Sequence, residues 1–354
     1  MTIKEIAQLA GVSSSAVSRY LNGGYISEEK KEQIKKVISE TGYQPSAQAR
    51  TLRTKRGQLV GVVVPKINSE SISRVTEGIG KILSERGYHM LLASTDNNTD
   101  KELFYLSLFE KYPVDGIILI GTMITPGHRK FLKETGIPVV VVGQHTKYAN
   151  CIYHDDYEAG KAMGKYAAAY LAEKSTVKGE KKSVAAVQGA KKGVEKNTEE
   201  RRGRAAYISV TREDKSAGAA REDGFKAGFK AGGMVLEESC IRVSAFTTDS
   251  GYEKAKELLD EESDIDIICC ATDTIAAGAI RAVKECGREG IRVTGFGDNQ
   301  LLKAATGGIP TVHFGYKTSG IRGAELLLDV IERGEKIPME IKLGFRFVDS
   351  VRAI

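Results

Sequence analysis

Carboxylates that could take part in acid–base chemistry stand where apolar, strand-like segments end. Asp155 and Asp156 form an adjacent pair, and Asp115, Asp273 and Asp298 each lie at the end of another such segment. A glycosidase places two carboxylates on either side of one bond, but adjacent strand residues point to opposite faces of a sheet. The chain also lacks a P-loop, a G-x-S-x-G elbow and an H-E-x-x-H motif. We therefore predict that the protein is not an enzyme. We expect the polar side chains at these strand ends to bind a small polar ligand in a cleft.

Basic and hydroxyl side chains accompany these carboxylates. Lys66 follows the strand-like run L-V-G-V-V-V-P, Arg221 begins a helix, and Tyr316 closes the run P-T-V-H-F-G-Y. Ser69 and Ser71 begin a helix whose N-terminal N–H groups are able to hold an anion. Three candidates have a structural alternative. Lys66 could be a surface lysine, Tyr316 could belong to the core, and Asp273 could cap its own helix, alone or together with ligand contact.

Metal binding and membrane insertion find little support in the sequence. The five histidines are widely separated, and the five cysteines form no C-x-x-C pair. We predict no metal, no cofactor, and reduced, mostly buried thiols. No run reaches the ~18 apolar residues of a membrane span, and the chain starts with a helix pattern instead of a signal peptide. These features predict a cytoplasmic protein, associated with the nucleoid if it binds DNA.

The N-terminal sequence I-K-E-I-A-Q-L-A-G-V-S-S-S-A-V-S-R-Y-L-N predicts two short helices joined by a tight turn at Gly11. The buried face of the first helix is predicted at Ile3, Ile6, Ala7, Leu9 and Ala10. Ser13 is the predicted N-cap of the second helix, about 14–21. That helix should bury Ala16, Val17 and Leu21.

The exposed side of the second helix predicts a DNA-reading surface. It carries Ser14, Ser15, Ser18 and Arg19, and Asn22 follows it. A helix-turn-helix needs this division, because one face packs while the start of its second helix meets base edges. Arg19 is the long donor there and the best candidate for reading guanine. A small three-helix bundle without DNA binding is the alternative, since Ser27 and residues 28–41 predict a third helix.

A basic segment, S-A-Q-A-R-T-L-R-T-K-R at 46–56, follows the helices. Arg50 and Arg53 flank Leu52, an isolated large apolar side chain. Such a segment suits a DNA minor groove, where cations meet phosphates and a leucine can wedge between base steps. The alternative is a basic linker. The net charge of +6 supports the first interpretation, because residues 1–56 carry ten basic and five acidic side chains.

Beyond residue 57 strand-length apolar runs alternate with helical stretches. About ten such strands are more than a single sheet usually contains. The pattern therefore predicts two doubly wound parallel-sheet lobes with a cleft between them. The exception is the stretch 174–204, with ten basic and four acidic side chains and few large apolar ones. We interpret it as a basic, mobile insertion, with an accessory anion or DNA contact as the alternative.

The motifs T-I-K-E-I-A-Q-L-A-G-V-S, A-V-S-R-Y-L-N and A-R-T-L resemble the headpiece of the lactose/galactose repressor (LacI/GalR) family. The resemblance implies that Ser14, Ser15 and Arg19 occupy base-reading positions, that Ser13 and Ser18 lie near phosphates, and that Leu52 is inserted in the minor groove. It also implies a periplasmic-binding-protein-like core whose chain crosses between lobes three times. We place the crossings near Asp156, Gly290 and Tyr316.

The expected organisation follows from this resemblance. Residues 1–45 form an all-α helix-turn-helix domain, 46–56 a hinge helix, and 57–354 an α/β core for effector binding and dimerisation. We assign lobe 1 to residues 57–156 and 291–316, and lobe 2 to 157–290 and 317–354.

Within the family, the chain is most similar to trehalose and sucrose operon repressors. By that similarity Lys66, Arg221 and Tyr316 would grip the phosphate of a sugar phosphate, such as trehalose 6-phosphate or sucrose 6-phosphate. Free-sugar members carry Asp in the segment that here is Gly295-Phe296-Gly297-Asp298, and the glycine removes a carboxylate that would repel an anion.

The resulting hypothesis is a homodimeric repressor of sugar-utilisation genes that binds a palindromic operator and is released by a sugar or sugar phosphate. Two alternatives remain. One is a regulator that uses a protein corepressor, and the other is a cytoplasmic sugar-binding or sugar-processing protein with a vestigial headpiece.

Overall fold

The computed structural model describes residues 1–21, 23–43, 57–112, 114–187, 203–334 and 339–349. The chain divides into two compact units. One unit comprises Met1–Leu59 with Tyr112–Asp115, and the other comprises Val60–Lys111 with Gly116–Ile354. Four of the five cysteines are buried and Cys286 is exposed, in line with the prediction that most of the thiols are buried.

The first unit contains helices α1 (Ile3–Leu9), α2 (Ser14–Leu21) and α3 (Glu28–Thr41), as predicted. Their shared core consists of Ile6, Ala7, Ala10, Val17, Ile34 and Val37. The prediction that Leu9 is buried was wrong, because its side chain is 59% exposed. At about 100° per residue, Ile6, Ala7 and Ala10 share one arc of the helix and Leu9 falls outside it.

Side-chain caps fix the helix starts in this unit. Thr2 and Glu5 form a reciprocal capping box at α1, which the sequence analysis did not identify. The Ser13 hydroxyl accepts from the Ala16 N–H at 3.2 Å, as predicted for the N-cap of α2. Ser27 occupies the N-cap position of α3 but makes no side-chain capping bond there. The turn between α1 and α2 contains Gly11 at φ 64°, which a side chain would strain.

The second unit is built on two six-stranded sheets. The first has the strand order β11-β5-β4-β3-β1-β2 and the second the order β12-β10-β9-β8-β6-β7. The strands of the first sheet are β1 (Leu59–Val64), β2 (His89–Ser94), β3 (Gly116–Ile120), β4 (Val139–Val142), β5 (Asn150–His154) and β11 (Glu340–Leu343). Those of the second are β6 (Arg204–Ser209), β7 (Ile241–Val243), β8 (Ile265–Cys270), β9 (Arg292–Phe296), β10 (Thr311–Phe314) and β12 (Phe345–Val348).

Helices cover the faces of both sheets, and buried apolar strands lie between them. Their ranges are α4 (Glu70–Glu85), α5 (Thr99–Lys111), α6 (Pro126–Glu134), α7 (Asp156–Val187), α8 (Arg221–Ala231), α9 (Thr248–Glu261), α10 (Asp273–Glu285), α11 (Gln300–Thr306) and α12 (Tyr316–Arg333). A π-helical turn, Lys215–Ala220, leads directly into α8. Strand β12 runs antiparallel to β10. This is the predicted α/β core of two lobes, one on each sheet.

The predicted lobe boundaries after residue 290 were wrong. Strand β9 pairs in parallel with β8 and β10 with β9, so both belong to lobe 2. Two parallel strands joined by a crossover helix usually lie side by side in one sheet. Helix α10 is such a connection between β8 and β9, so the chain does not change lobes near Gly290. The chain returns to lobe 1 at Tyr316, where α12 packs on α4. Its last passage lies at Gly344, between β11 in the first sheet and β12 in the second.

The beginning of the predicted insertion is helical. Helix α7 runs from Asp156 to Val187, so residues 174–187 of this stretch form part of a helix. Residues 188–202 lie outside the described residues.

Candidate functional site

A cavity of about 160 Å³ lies between the two lobes, at the carboxyl ends of their strands. This is room for roughly ten water molecules, or for a small polar ligand in their place. All the residues predicted for the effector site line this cavity: Lys66, Ser69, Ser71, Arg221, Asp273 and Tyr316. They come from four separate parts of the sequence, and the strand ends of the two sheets bring them together.

Arg221 is held rigidly against the cavity. The close approach of α7 and α8 fixes its backbone, because a Cβ at Gly160 would lie 2.2 Å from the Arg221 carbonyl oxygen. Its Nε donates to Asp156 Oδ1 at 2.8 Å, and its Nη1 donates to the Ala271 carbonyl at 2.7 Å. The guanidinium also lies 5.1 Å and 4.8 Å from the ring centroids of Phe296 and Phe314.

The charge of Arg221 is already compensated. Arg221 and Asp156 are both buried, with 8% and 6% of their side chains exposed. Burial is the largest single effect and lowers the pKa of Arg221, but Asp156 together with Tyr316 and Tyr207 raises it above the ordinary value. Burial raises the pKa of Tyr316, and Arg221 opposes that rise mainly through its positive charge and to a smaller extent through a hydrogen bond. Arg221 therefore faces the cavity as part of an ion pair with Asp156, beside the neutral phenol of Tyr316, and not as an isolated positive charge.

Lys66 links the two lobes across the mouth of the cleft. Its Nζ donates to the Phe246 carbonyl at 2.6 Å and lies 6.0 Å from the Phe246 ring centroid. Burial lowers the pKa of Lys66. Within the described residues, no carboxylate lies within 4 Å of this ammonium group. A ligand anion would give Lys66 an ionic partner that the described residues do not provide.

The start of α4 offers hydroxyls together with a negative charge. Ser69 is at the N-cap, makes no capping bond, and lies 3.0 Å, Oγ to Oγ, from Ser71. The Glu70 carboxylate between them accepts from Arg74 and, across the cleft, from the Gln300 N–H at 3.0 Å. The helix N-terminus therefore already has an acidic side chain in its first turn, which weakens it as an anion site.

Asp273 holds the opposite wall in place. Its Oδ2 accepts from the Asn299 N–H at 2.7 Å, and its Oδ1 accepts from the Thr311 hydroxyl at 2.8 Å. Thr272, and not Asp273, caps helix α10. Burial is the main reason that the pKa of Asp273 is raised to about 6. Gly297 packs against this carboxylate at φ 142°, and a Cβ there would lie 3.3 Å from it, so the backbone itself requires glycine.

The sequence analysis missed several polar groups of the cleft. Gln144 Nε2 donates to Asp214 Oδ1 at 2.9 Å, and Ser216 Oγ donates to the Gly143 carbonyl at 3.0 Å, so both bonds join the lobes. His154 also lines the cavity. Its place at the end of β5, beside the Asp155-Asp156 pair, is the same strand-end signal that selected the carboxylates, and it could have identified this histidine.

The lining charges do not support the argument from Gly297 for an anionic ligand. The cavity retains the carboxylates of Asp156, Asp214, Asp273 and Glu70 against the cations Lys66, Arg74 and Arg221. Burial raises the pKa of Asp214 as well. Carboxylates that accept hydrogen bonds are typical partners of uncharged hydroxyl groups.

The first unit presents the predicted DNA-reading face. Ser13, Ser14, Ser15 and Arg19 are exposed and Ser18 is half-buried, while Ala16 and Val17 of the same helix are buried. Ser15 Oγ lies 2.8 Å from Ser13 Oγ. The predicted DNA contacts Asn22, Arg50, Leu52 and Arg53, with the hinge segment 46–56, lie outside the described residues.

Each of the two units matches a known protein family. Residues 2–46 match the profile of bacterial regulatory proteins of the lacI family, and residues 60–332 match a periplasmic binding protein domain. The chain belongs to the LacI family. As a member it is a DNA-binding transcriptional repressor, with a helix-turn-helix headpiece and two parallel-sheet lobes.

Three relatives of this LacI-family chain are informative. The sucrose operon repressor of Staphylococcus xylosus is 27% identical over 348 residues, covering 97% of this chain and 98% of that protein. A complex of the transcriptional regulator CelR with cellobiose has a TM-score of 0.67 at 25% identity, with 98% of each chain covered. The Lac repressor dimer bound to operator and an anti-inducer has a TM-score of 0.79 at 18% identity, covering 99% of this chain and 98% of that one, and supports the fold.

These relatives are regulators, not enzymes. In the part of the chain that the structure describes, no helix is long and apolar enough to cross a membrane. The same residues contain no group of three or more side chains that could hold a metal ion.

Proposed function

We propose that this LacI-family repressor controls sugar-utilisation genes and that a sugar bound in the interlobe cleft releases it from DNA. The observation that carries the proposal is the cavity itself, where a paired arginine, buried carboxylates and aromatic rings converge from both lobes. Such a lining suits a ligand with many hydroxyl groups and some apolar surface. The sucrose operon repressor and the CelR–cellobiose complex are relatives whose names refer to disaccharides.

An uncharged sugar is the favoured effector. Arg221 and Arg74 are already paired with Asp156 and Glu70, so neither brings an uncompensated charge to a phosphate. The other carboxylates that line the cavity, Asp214 and Asp273, would repel a phosphate group when they are ionised. A phosphorylated sugar is the second candidate, and Lys66 favours it, because this ammonium group faces the cavity without a carboxylate partner among the described residues.

Coupling between the cleft and DNA requires that the effector change the arrangement of the lobes. Hydrogen bonds such as Lys66 to Phe246 and Gln144 to Asp214 join the lobes directly, so a ligand that replaces or strengthens them shifts the balance between arrangements. We propose that this shift alters the hinge segments 46–56 of a homodimer, whose two headpieces read the halves of a palindromic operator. Effector affinity and operator affinity are then reciprocally linked.

Effector binding is tested with the full-length protein by thermal shift. The panel contains sucrose, cellobiose and trehalose, each free and as the 6-phosphate. An uncharged effector predicts stabilisation by a free sugar that Arg221→Ala abolishes and Lys66→Ala weakens little. A phosphate effector predicts stabilisation by a phosphorylated sugar alone, lost in Lys66→Ala. Lys81→Ala, an exposed lysine on α4, is the matched control.

The sugar that stabilises the protein should also lower its affinity for operator DNA. Tighter operator binding in its presence would contradict release and indicate corepression. If a sugar stabilises the protein but does not change its affinity for operator DNA, the result would favour the alternative of a sugar-binding protein with a vestigial headpiece.

DNA reading is tested at Arg19. An arginine that reads guanine contributes about 1–3 kcal/mol of base discrimination, so Arg19→Ala should weaken operator binding roughly 5- to 150-fold. Arg19→Lys keeps the charge but loses the bidentate fork, so it should recover nonspecific binding and little specificity. Fluorescence anisotropy with operator and scrambled DNA at several salt concentrations measures both effects. Equal operator affinity in all three proteins would contradict this role of Arg19.

A further inference from the structure

His154 is a buried histidine at the wall of the effector cleft. It ends strand β5 and is 7% exposed. Its ring packs on Phe314 and Tyr316, with centroids 4.9 Å and 5.5 Å away. The two aromatic rings hold the imidazole in one orientation beside Arg221 and Asp156, which both affect its pKa. This histidine was not among the sequence-predicted effector residues.

The pKa of His154 indicates which ring nitrogen carries the proton. A backbone hydrogen bond with Gly315 raises this pKa, which is the direction expected when a ring N–H donates to the Gly315 carbonyl. Burial is the larger effect and lowers the pKa to about 4, so the ring is neutral at pH 7. Nε2 is buried and has no hydrogen-bond partner among the described residues. We therefore assign the proton to Nδ1, which leaves Nε2 as an acceptor.

A second orphan group lines the same cavity. Thr122 Oγ1 follows strand β3 in the first sheet, is buried, and also has no partner within the described part of the chain. Buried polar atoms without partners are costly and rare in folded proteins, and at a cavity wall a bound ligand or an ordered water can supply the missing bonds.

We propose that Nε2 of His154 accepts a hydrogen bond from a hydroxyl group of the effector, and so selects a sugar that presents a free hydroxyl at this wall. The inference rests on the proposed function and specifies the chemistry of its ligand. A neutral imidazole acceptor has no attraction for a deprotonated phosphate or carboxylate oxygen, because both atoms are acceptors. A sugar without that hydroxyl leaves Nε2 unpaired in the complex and binds more weakly.

The test combines changes in the protein and in the sugar. Calorimetric titration of the full-length protein with sucrose, cellobiose and trehalose identifies the tightest of the three. His154→Phe keeps a ring against Phe314 and Tyr316 but removes the acceptor, and we expect at least a tenfold loss of affinity. His154→Gln restores an acceptor oxygen and should recover most of it. The melting temperature of each unliganded variant verifies folding.

Deoxy forms of the tightest sugar supply the decisive comparison. One position should cost the wild type at least tenfold and cost His154→Phe little, because only the wild type has an acceptor for that hydroxyl. Equal losses in His154→Phe and His154→Gln, or the same deoxy penalties in all proteins, would overturn this inference and leave the proposed function standing. If none of the three sugars nor their 6-phosphates binds the wild type, the proposed effector class fails first, and this inference fails with it.

Discussion

Replacing Asp273 with asparagine should stabilise the protein at neutral pH and remove part of its pH dependence. The carboxyl group is 4% exposed, and both of its oxygens accept hydrogen bonds, from the Asn299 N–H and the Thr311 hydroxyl. Asparagine has the same shape and can preserve both contacts, since its oxygen accepts from Asn299 and its amide group donates to the Thr311 oxygen. The substitution therefore removes the buried charge with little change in packing.

The magnitude follows from the raised pKa. Burial is the main cause that raises the pKa of Asp273 from 3.8 to about 6. Because the folded state holds this proton more tightly than the unfolded state, the contribution of Asp273 to folding stability is greatest below pH 4 and is lost as pH rises through 6. The full penalty is about 3 kcal/mol, and about 2 kcal/mol of it develops between pH 4.5 and 7.5. Asp273→Asn lacks this loss.

Urea unfolding of the wild type and Asp273→Asn at pH 4.5 and 7.5 measures the difference. The stability advantage of the variant should grow by about 2 kcal/mol between the two pH values. Asp260→Asn, which changes an exposed carboxylate on α9, should show no such growth. A variant whose advantage is the same at both pH values would refute the reasoning, because the buried carboxyl would then not release its proton in this range.

Two further predictions concern packing in the lobes. The Tyr207 hydroxyl is fully buried without a partner among the described residues, so Tyr207→Phe should raise stability by about 1 kcal/mol, and a loss in urea unfolding would show that the hydroxyl is paired. A Cβ at Gly78 would lie 2.2 Å from the Lys317 carbonyl oxygen, so Gly78→Ala should separate α4 from α12 and lower stability by about 1–3 kcal/mol. Gly136→Ala, with no atom within 4 Å of the new Cβ, should change the melting temperature little.

Local patterns were sufficient for the headpiece. Helices α2 and α3 have the predicted bounds, and the Ser13 cap and the buried pair Ala16 and Val17 are as expected. Each of these features depends on neighbours three or four residues away, which the sequence shows directly. Leu9 was misplaced because the packing of α1 against α3 decides which side of the helix faces inward.

Lobe membership could not be read from the sequence in the same way. The apolar pattern of strand β9 would fit either sheet. Only its pairing with β8 shows that it belongs to the second sheet. The two short C-terminal strands, β11 and β12, complete different sheets although a single residue, Gly344, separates them. Pairing between strands depends on long-range contacts, and apolar periodicity is the same whichever partner a strand has.

The sequence by itself determined the class of the protein: a helix-turn-helix unit before an α/β core, with polar side chains at strand ends that converge on one cleft. Only the tertiary structure decided what those side chains do. It pairs Arg221 with Asp156, uses both oxygens of Asp273 internally, and leaves Nε2 of His154 without a partner among the residues it describes. The reason is physical, because the charge and hydrogen-bonding capacity that a buried group offers to a ligand depend on which partners surround it, and these partners come from distant parts of the chain.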